Sequence, residues 1–470
     1  MLPKKSFSWW LIFLVAGIHI WWVSDVRIYR HETRTAPIES DGLGYYMYLP
    51  SAFIYHDFDP SFVGTMPEYK ESFKPLPYIF HLSPHSGKRV NKYTPGLAVI
   101  WTPFFLGAHL LAAPLGYEAN GFTIPYRVAL LVAALAFHML GFFYLRKTLL
   151  SYFQEKVTVA VMLVIGLGTN LLYYTLQDPT MPHVYSFTLV MMMVYHCIEW
   201  HKQGKWADMG LMALAAGFMV LIRPINGLYL LFPLLYGISS IADFGRKARH
   251  VGSHWKQLAL GIGIGMITLS PMFIYWKEIA GSWLYISYTD EGFLWDQPEW
   301  IKVLFSYQKG WLVYTPIMLL AFAGIFWIDR YAKGWLIPLL VFFPLNLYLI
   351  SSWWSWWYGG GFGMRALIEA MAPLSISVGA FFAWAFEQRW RAILAGTFTF
   401  LCINLNLLQS YQFFKVYIHW SGTTKKSYWA AFGRFYIPPD EQQRIIHEYA
   451  QEPDHEARLG KFRAKKAQQE

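Results

Sequence analysis

Apolar residues in this chain come in long runs, not in the alternation of a half-buried strand or the stripe of a surface helix. Such runs stand at roughly 9–28, 126–145, 157–176, 183–200, 207–222, 225–241, 257–276, 313–328, 335–350, 367–386 and 391–408. Most approach the ~20 residues that a helix needs to cross ~30 Å of hydrocarbon. The pattern predicts an all-α polytopic membrane protein of about eleven transmembrane helices.

A further run at 97–113, "LAVIWTPFFLGAHLLAA", is about 17 residues long. Charge decides how to read it. If it does not cross, the N-terminus and the loops 146–156, 199–206, 242–256, 329–334 and 387–390 share one side. Those loops hold Arg146, Lys147, Lys202, Arg246, Lys247, Arg249, Arg330 and Arg389, whereas the loops near 177–182 and 351–364 on the other side hold no Lys or Arg. Cytoplasmic loops are enriched in such cations. The expectation is an interfacial helix at 97–113, the N-terminus in the cytoplasm and the opposite face outside. The start "MLPKKSFSWWLIFLVAGIHIWW" has basic residues before a long apolar run and reads as a retained signal anchor.

Composition agrees. Hydrophobic residues make up 55% and charged residues 14%, against about a quarter charged in a soluble domain. The net charge of +10 fits cytoplasmic loops and anionic lipid, without calling for nucleic acid. Cys197 and Cys402 lie in apolar runs and read as small packing residues. Residues 1–408 form the expected transmembrane domain, with a long first outer loop at 29–125. Residues 409–470 form a polar tail, expected outside. No internal repeat of the transporter kind is visible.

Ionisable groups gather on one side. Asp41, Asp57, Asp59, Asp178, His183, Arg223, Lys309 and Arg365 all fall at outer ends of runs or in outer loops. A proton relay would instead thread carboxylates through the bilayer centre; Glu369 is the nearest to one. Asp41, in "SDGLGYYMYLP", is flanked by tyrosines. Partial desolvation there would raise its basicity and suit it to take a proton from a hydroxyl; a helix-capping role is equally open. Asp57 and Asp59 read as helix-end and turn residues. Asp178 and His183 sit on a turn fixed by Pro179 and Pro182. Arg223, Lys309 and Arg365 are candidates for an anion. Arg365 follows Gly359, Gly360, Gly361 and Gly363, and is expected to open a helix whose N-terminal dipole would favour the same anion. Trp353, Trp354, Trp356 and Trp357 suit an aromatic belt, a polyprenyl chain or a sugar face equally. No spacing matches a strong metal site. Carboxylates converging from separate loops could hold Mg²⁺ or Mn²⁺, which the sequence leaves open.

Taken together, "ESDGLGYY", "KYTPGLAVIWTPFFLGAHLL", "YLRKTLL", "DPTMPHVYSF" and "LIRPINGL" resemble the family C membrane glycosyltransferases. The layout is similar to bacterial relatives of protein O-mannosyltransferases, the lipid A aminoarabinose transferase and rhizobial lipopolysaccharide glycosyltransferases. The resemblance covers roughly residues 9–390. It implies a polyprenyl-phosphate-linked sugar donor and inverting transfer to a hydroxyl or amine of an envelope glycan, lipid or protein. It also implies a bacterial inner-membrane protein with a periplasmic active site, Asp41 as base, and basic residues at the donor phosphate. The expected set is Asp41 and Asp178 for catalysis, with Arg223, Lys309, Arg365, Lys92, His183 and Tyr45 holding substrate or phosphate. Family members often carry paired acids at the first-loop site. Here Gly42 follows Asp41 and the nearest second acid is Glu39, so a metal requirement does not carry over. Two rival readings are a lipid or glycolipid transporter or flippase, and a non-catalytic glycolipid-binding protein of the same fold.

Overall fold

The computed structural model describes residues 7–24, 38–58 and 79–469; Asp59, the end of the first predicted span and part of the first outer loop lie outside them. The longer helices are α1 (Ser8–Ser24), α2 (Gly96–Ala112), α3 (Ile124–Leu150), α4 (Glu155–Leu167), α5 (His183–Gln203), α6 (Trp206–Ile222), α7 (Trp255–Tyr275), α8 (Leu336–Ser352), α9 (Met371–Ala385) and α10 (Arg389–Phe414).

Four helices among the described residues are long and apolar enough to cross a membrane: Gly96–Leu115, Ile124–Leu150, Trp255–Ala280 and Arg389–Phe414. Five further apolar helices are shorter, Ser8–Trp21, Trp206–Ile222, Pro224–Leu235, Leu336–Ser352 and Met371–Ala385, so eleven stays an expectation, and two of the expected runs are broken locally. The 225–241 run holds Pro224–Leu230 as a tight helical turn and Leu231–Leu235 as a short helix, after a proline that cannot donate to the helix ladder. The 313–328 run breaks at Thr315, whose backbone is non-helical before Pro316. Such breaks are tolerated at membrane depth when neighbouring helices cover them. The surfaces of α7 and α10 fit a lipid environment: Ile262, Met266, Ile267, Phe400 and Leu401 are all exposed. Small residues let α6 and α7 close on each other, since a side chain on Gly217 would strike Thr268.

α2 is long enough to cross, yet both of its ends meet the same end of the bundle. α5 turns back into α6 at Gly204, which has φ 61°, so Ile222 returns to the level of His183. α3 runs in the same direction as α5: Thr188 Oγ1 donates to the Phe137 carbonyl (2.7 Å), and Tyr144 meets Tyr195 about two turns further down. At the start of α2, Thr94 Oγ1 donates to the Ile222 carbonyl (2.7 Å). Near its finish, His109 Nδ1 lies 2.6 Å from the Tyr126 hydroxyl, in the first turn of α3.

Two features depart from the all-α, tailed expectation. A hairpin pairs β1 (Phe80–Leu82) with β2 (Arg89–Asn91) in antiparallel register, Phe80 opposite Asn91. The 409–469 segment is folded. α10 runs across the expected boundary, and a short helix at Lys425–Ala431 begins with a reciprocal Thr424–Ser427 cap. Tyr417, Ala431, Ile437, Ile445 and Ile446 form a small core of their own. A last helix, α11 (His455–Gln469), docks on the 277–312 loop. There Arg458 Nη1 meets Glu299 Oε1 (2.8 Å), and Phe462 fills the space a Gly292 side chain would need.

Candidate functional site

Asp41 sits in the first turn of a short helix, Ser40–Tyr46, whose N-cap position is Glu39 and not Asp41. Gly44 makes room for a partner. A Cβ on Gly44 would lie 2.1 Å from the Tyr93 ring, so only glycine lets that ring close. The hairpin positions Tyr93, because Asn91 Nδ2 donates to the Gly44 carbonyl (2.7 Å) and Asn91 Oδ1 accepts from the Tyr93 amide (3.0 Å). The Tyr93 hydroxyl then donates to Asp41 Oδ1 (2.6 Å).

From the other side comes Arg365, whose Nη2 donates to Asp41 Oδ2 (2.8 Å). The glycine run ahead of it makes this approach. Gly361 has φ 156°, and a Cβ there would stand 2.5 Å from the Tyr174 hydroxyl and 3.4 Å from Arg365 Cδ. The loop is pinned: the Phe362 amide donates to the Tyr174 hydroxyl (2.9 Å), and Lys309 Nζ donates to the Gly361 and Trp420 carbonyls. Arg365 does not open a long helix as expected. It lies in a separate tight turn, Arg365–Leu367, ahead of α9, so the helix dipole stands apart from the guanidinium.

Asp41 and Arg365 open onto a cavity of about 470 Å³, also lined by Tyr45, Lys92, His183, Arg223, Tyr288 and Glu291. Each cation there has an acid. Lys92 Nζ reaches Glu291 Oε1 (2.6 Å) and lies 4.9 Å from the centre of the Tyr288 ring. Arg223 Nη1 and His183 Nδ1 share Glu369 Oε1, at 3.2 and 3.0 Å. Glu369 is 1% exposed, and its Oε2 has no hydrogen-bond partner among the described residues. Trp353, Trp354, Tyr358 and Phe293 add aromatic wall, and His455 of α11 closes one side.

The structure therefore brings six of the eight expected residues to one cavity and leaves two off its wall. Asp178 lies behind it, on its proline-bracketed turn. Burial pushes its carboxyl up to about 7; Arg365 opposes this, while Asp41 and Glu39 add to it. Lys309 is buried behind the glycine loop, where burial, with Arg365 nearby, holds its ammonium well below the usual lysine range. Asp57 is exposed, away from the cavity. The expectation that desolvation raises Asp41 is reversed. Burial does push it upward, but Arg365, the Tyr93 hydrogen bond and Lys92 together outweigh it, and the carboxyl lies below its ordinary value. Among the described residues no three His, Cys, Asp or Glu side chains gather as a metal would require.

Sequence reasoning passed over Glu291, Tyr93 and His455. "YTDEGFLWDQPEW" carried a signal for the first, an acid set among outer-loop aromatics. Tyr93 lay inside a segment singled out for its lysine. Nothing in the tail marked His455.

No protein-family model matches the chain, and no curated protein matches it. Among solved structures it is similar to the archaeal oligosaccharyltransferase AglB from Archaeoglobus fulgidus, in complex with an inhibitory peptide and a dolichol-phosphate. The two are 11% identical over 97% of this chain, with a TM-score of 0.49. The chain spans 61% of the length of that one. A likeness at that level does not establish a common fold or activity.

Proposed function

We propose that this protein is a membrane glycosyltransferase that moves a sugar from a polyprenyl-phosphate-linked donor to an acceptor hydroxyl or amine. The observation that carries the reading is the convergence of Asp41, Arg365, Arg223 and Lys92 on one aromatic-walled cavity. A transferase uses both groups, the carboxylate on the acceptor proton and the guanidinium on the phosphate.

In this reading the donor's tail lies in the lipid, and its phosphate engages Arg365, with Arg223 and Lys92 close by. The acceptor oxygen or nitrogen attacks the anomeric carbon from the face opposite the phosphate. The new bond to that carbon forms as the carbon–oxygen bond to phosphate breaks, and the electron pair leaves with the phosphate, where the cations stabilise it. Asp41 takes the acceptor proton. Its low basicity in the ligand-free protein then has a use: a phosphate that draws Arg365 away removes the main influence holding the carboxyl down, so the base strengthens once donor is bound. Asp178, near neutral at its position, serves as a hydrogen-bonding neighbour. Lys309 shapes the glycine loop rather than touching the phosphate. The loop charges turn the cavity away from the cytoplasm, and the family resemblance implies the bacterial inner membrane with the cavity facing the periplasm.

The test is sugar transfer or donor hydrolysis by the protein in nanodiscs, offered a panel of polyprenyl-phosphate sugars, with Asp41→Asn and a chelator arm alongside. Turnover lost in the variant with donor still bound supports the reading, and the chelator arm decides whether Mg²⁺ or Mn²⁺ is needed. Binding of a glycolipid without turnover would make it a non-catalytic binding protein. Neither binding nor turnover would return the transporter.

A further inference from the structure

A second cavity, of about 630 Å³, lies on the same face between the 299–308 segment, the Trp356–Trp357 pair and the C-terminal segment at 423–425 and 451–458. Its walls are of two kinds. Phe305 is more than half exposed and Tyr307 half-buried, so both offer ring surface. Around them Glu299, Lys302, Lys425, Glu452, Asp454 and Arg458 supply three acids and three bases, a balanced rim that favours no net charge in a ligand. Two donors in the wall are buried without use. The Trp357 side chain is 2% exposed, and its Nε1 has no hydrogen-bond partner among the described residues; the same is true of Arg458 Nη2. Arg458 is otherwise committed, with Nη1 on Glu299 and Nε on the Trp354 carbonyl (3.1 Å). A buried donor left unpaired costs about 1–3 kcal/mol, and such groups in a cavity wall point to an oxygen-rich ligand.

We infer that this cavity binds a neutral oligosaccharide, the glycan part of the acceptor. Sugar rings present apolar C–H faces to aromatic rings and hydroxyls to donors and carboxylates, which is the mixture this wall offers. The two cavities share a partition. Trp357 packs on His455 of the first cavity (ring centres 5.0 Å apart) and on Trp354, which lines that cavity too (6.2 Å). A glycan held in the second cavity therefore lies beside the cavity that holds Asp41. The C-terminal segment, expected from sequence only as a polar tail, becomes half of the acceptor site. The word acceptor rests on the transferase reading; the binding of a glycan does not.

The experiment is calorimetric titration of the nanodisc-embedded protein with a panel of neutral linear oligosaccharides, for the wild type, Phe305→Ala, Trp357→Phe and Asp41→Asn. Phe305 is exposed, so its truncation leaves the fold intact even if Trp357→Phe disturbs it. Saturable binding that weakens about tenfold in Phe305→Ala and is unchanged in Asp41→Asn is the expected result. In the transfer assay Phe305→Ala should raise the KM for a glycan acceptor about tenfold and leave donor hydrolysis by water unchanged. No saturable binding across the panel, or binding that Phe305→Ala leaves untouched, overturns the inference. Binding present with no turnover on any donor would sink the transferase reading alone.

Discussion

The two ends of the helix bundle handle charge in opposite ways. At the cavity end, ionisable groups are buried or half-buried and held in pairs: Asp41 with Arg365, Lys92 with Glu291, and Glu369 between Arg223 and His183. At the other end they lie on the surface. The Ile241–Ser253 helix there is sharply amphipathic, with Ile241 and Phe244 exposed beside Arg246 and Arg249, and Arg330 meets Glu387 (2.6 Å) where both are open to solvent. The surface arrangement costs little and is what a helix and loops at a membrane surface need. The buried arrangement is expensive, since desolvation of two ions can exceed their attraction. A fold that carries three such pairs around one cavity is spending stability on that cavity, and this is the physical ground for seeking its chemistry there.

The comparison can be broken most directly at Asp41. Asp41→Asn should lower transfer by about 10²- to 10⁴-fold, the usual worth of a general base, with donor affinity within a few-fold; equal loss of binding would make Asp41 structural. Next in size is Glu369→Ala. It strands Arg223 and His183 beside a site that is 1% exposed, and should cost about 3–5 kcal/mol of stability, read as a lowered unfolding temperature in detergent. A loss no larger than that of a surface pair would erase the contrast between the two ends.

Arg365→Met separates the two roles given to that residue. Donor affinity should fall about 10- to 100-fold, as for a lost charge-assisted contact of roughly 1.5–3 kcal/mol. The acid limb of kcat/KM, which reports the free protein, should move to higher pH, because burial then acts on Asp41 without the opposing guanidinium. A limb that stays in place would remove Asp41 from the proton transfer.

Asp178→Asn should act on stability with a definite sign. The folded carboxyl titrates at about 7, above its ordinary 3.8. Between those values the unfolded chain has lost a proton that the folded one keeps, so stability falls as pH rises through that window. The variant should therefore gain in unfolding temperature at pH 7–8 and gain little near pH 4. A gain independent of pH would disprove the assignment. The smallest effect belongs to the far end: Arg330→Ala should change stability by less than about 1 kcal/mol, and a larger change would mean that surface is part of an interface.

Much of this contrast was legible in the chain. The length of the apolar runs marks a membrane protein, because hydrocarbon thickness acts on composition alone, and the Lys and Arg of the short loops were the ground for expecting two distinct faces. Asp41, Arg223, His183 and Arg365 could be singled out because an ionisable group beside an apolar run is costly wherever the fold puts it. Helix number was less legible: proline and a non-helical Thr315 broke runs that hydropathy counted as whole.

What only the tertiary structure decided is which of those charges meet. Asp41 and Arg365 are joined across more than three hundred residues. Whether burial or a partner governs a carboxylate depends on distances that no local pattern encodes, which is why the direction of the Asp41 shift was misjudged from its tyrosine neighbours. The same holds for Lys309, a free cation in the sequence but a clasp on Gly361 in the fold. It holds as well for the tail, whose polar composition hid a folded segment bringing His455 to one cavity and Arg458 to the next. The sequence by itself determined the medium the chain lives in and the side on which its costly groups lie, since those follow from transfer energies residue by residue. Pairing, pKa and the joining of two cavities follow from long-range contact, and only the folded chain supplies it.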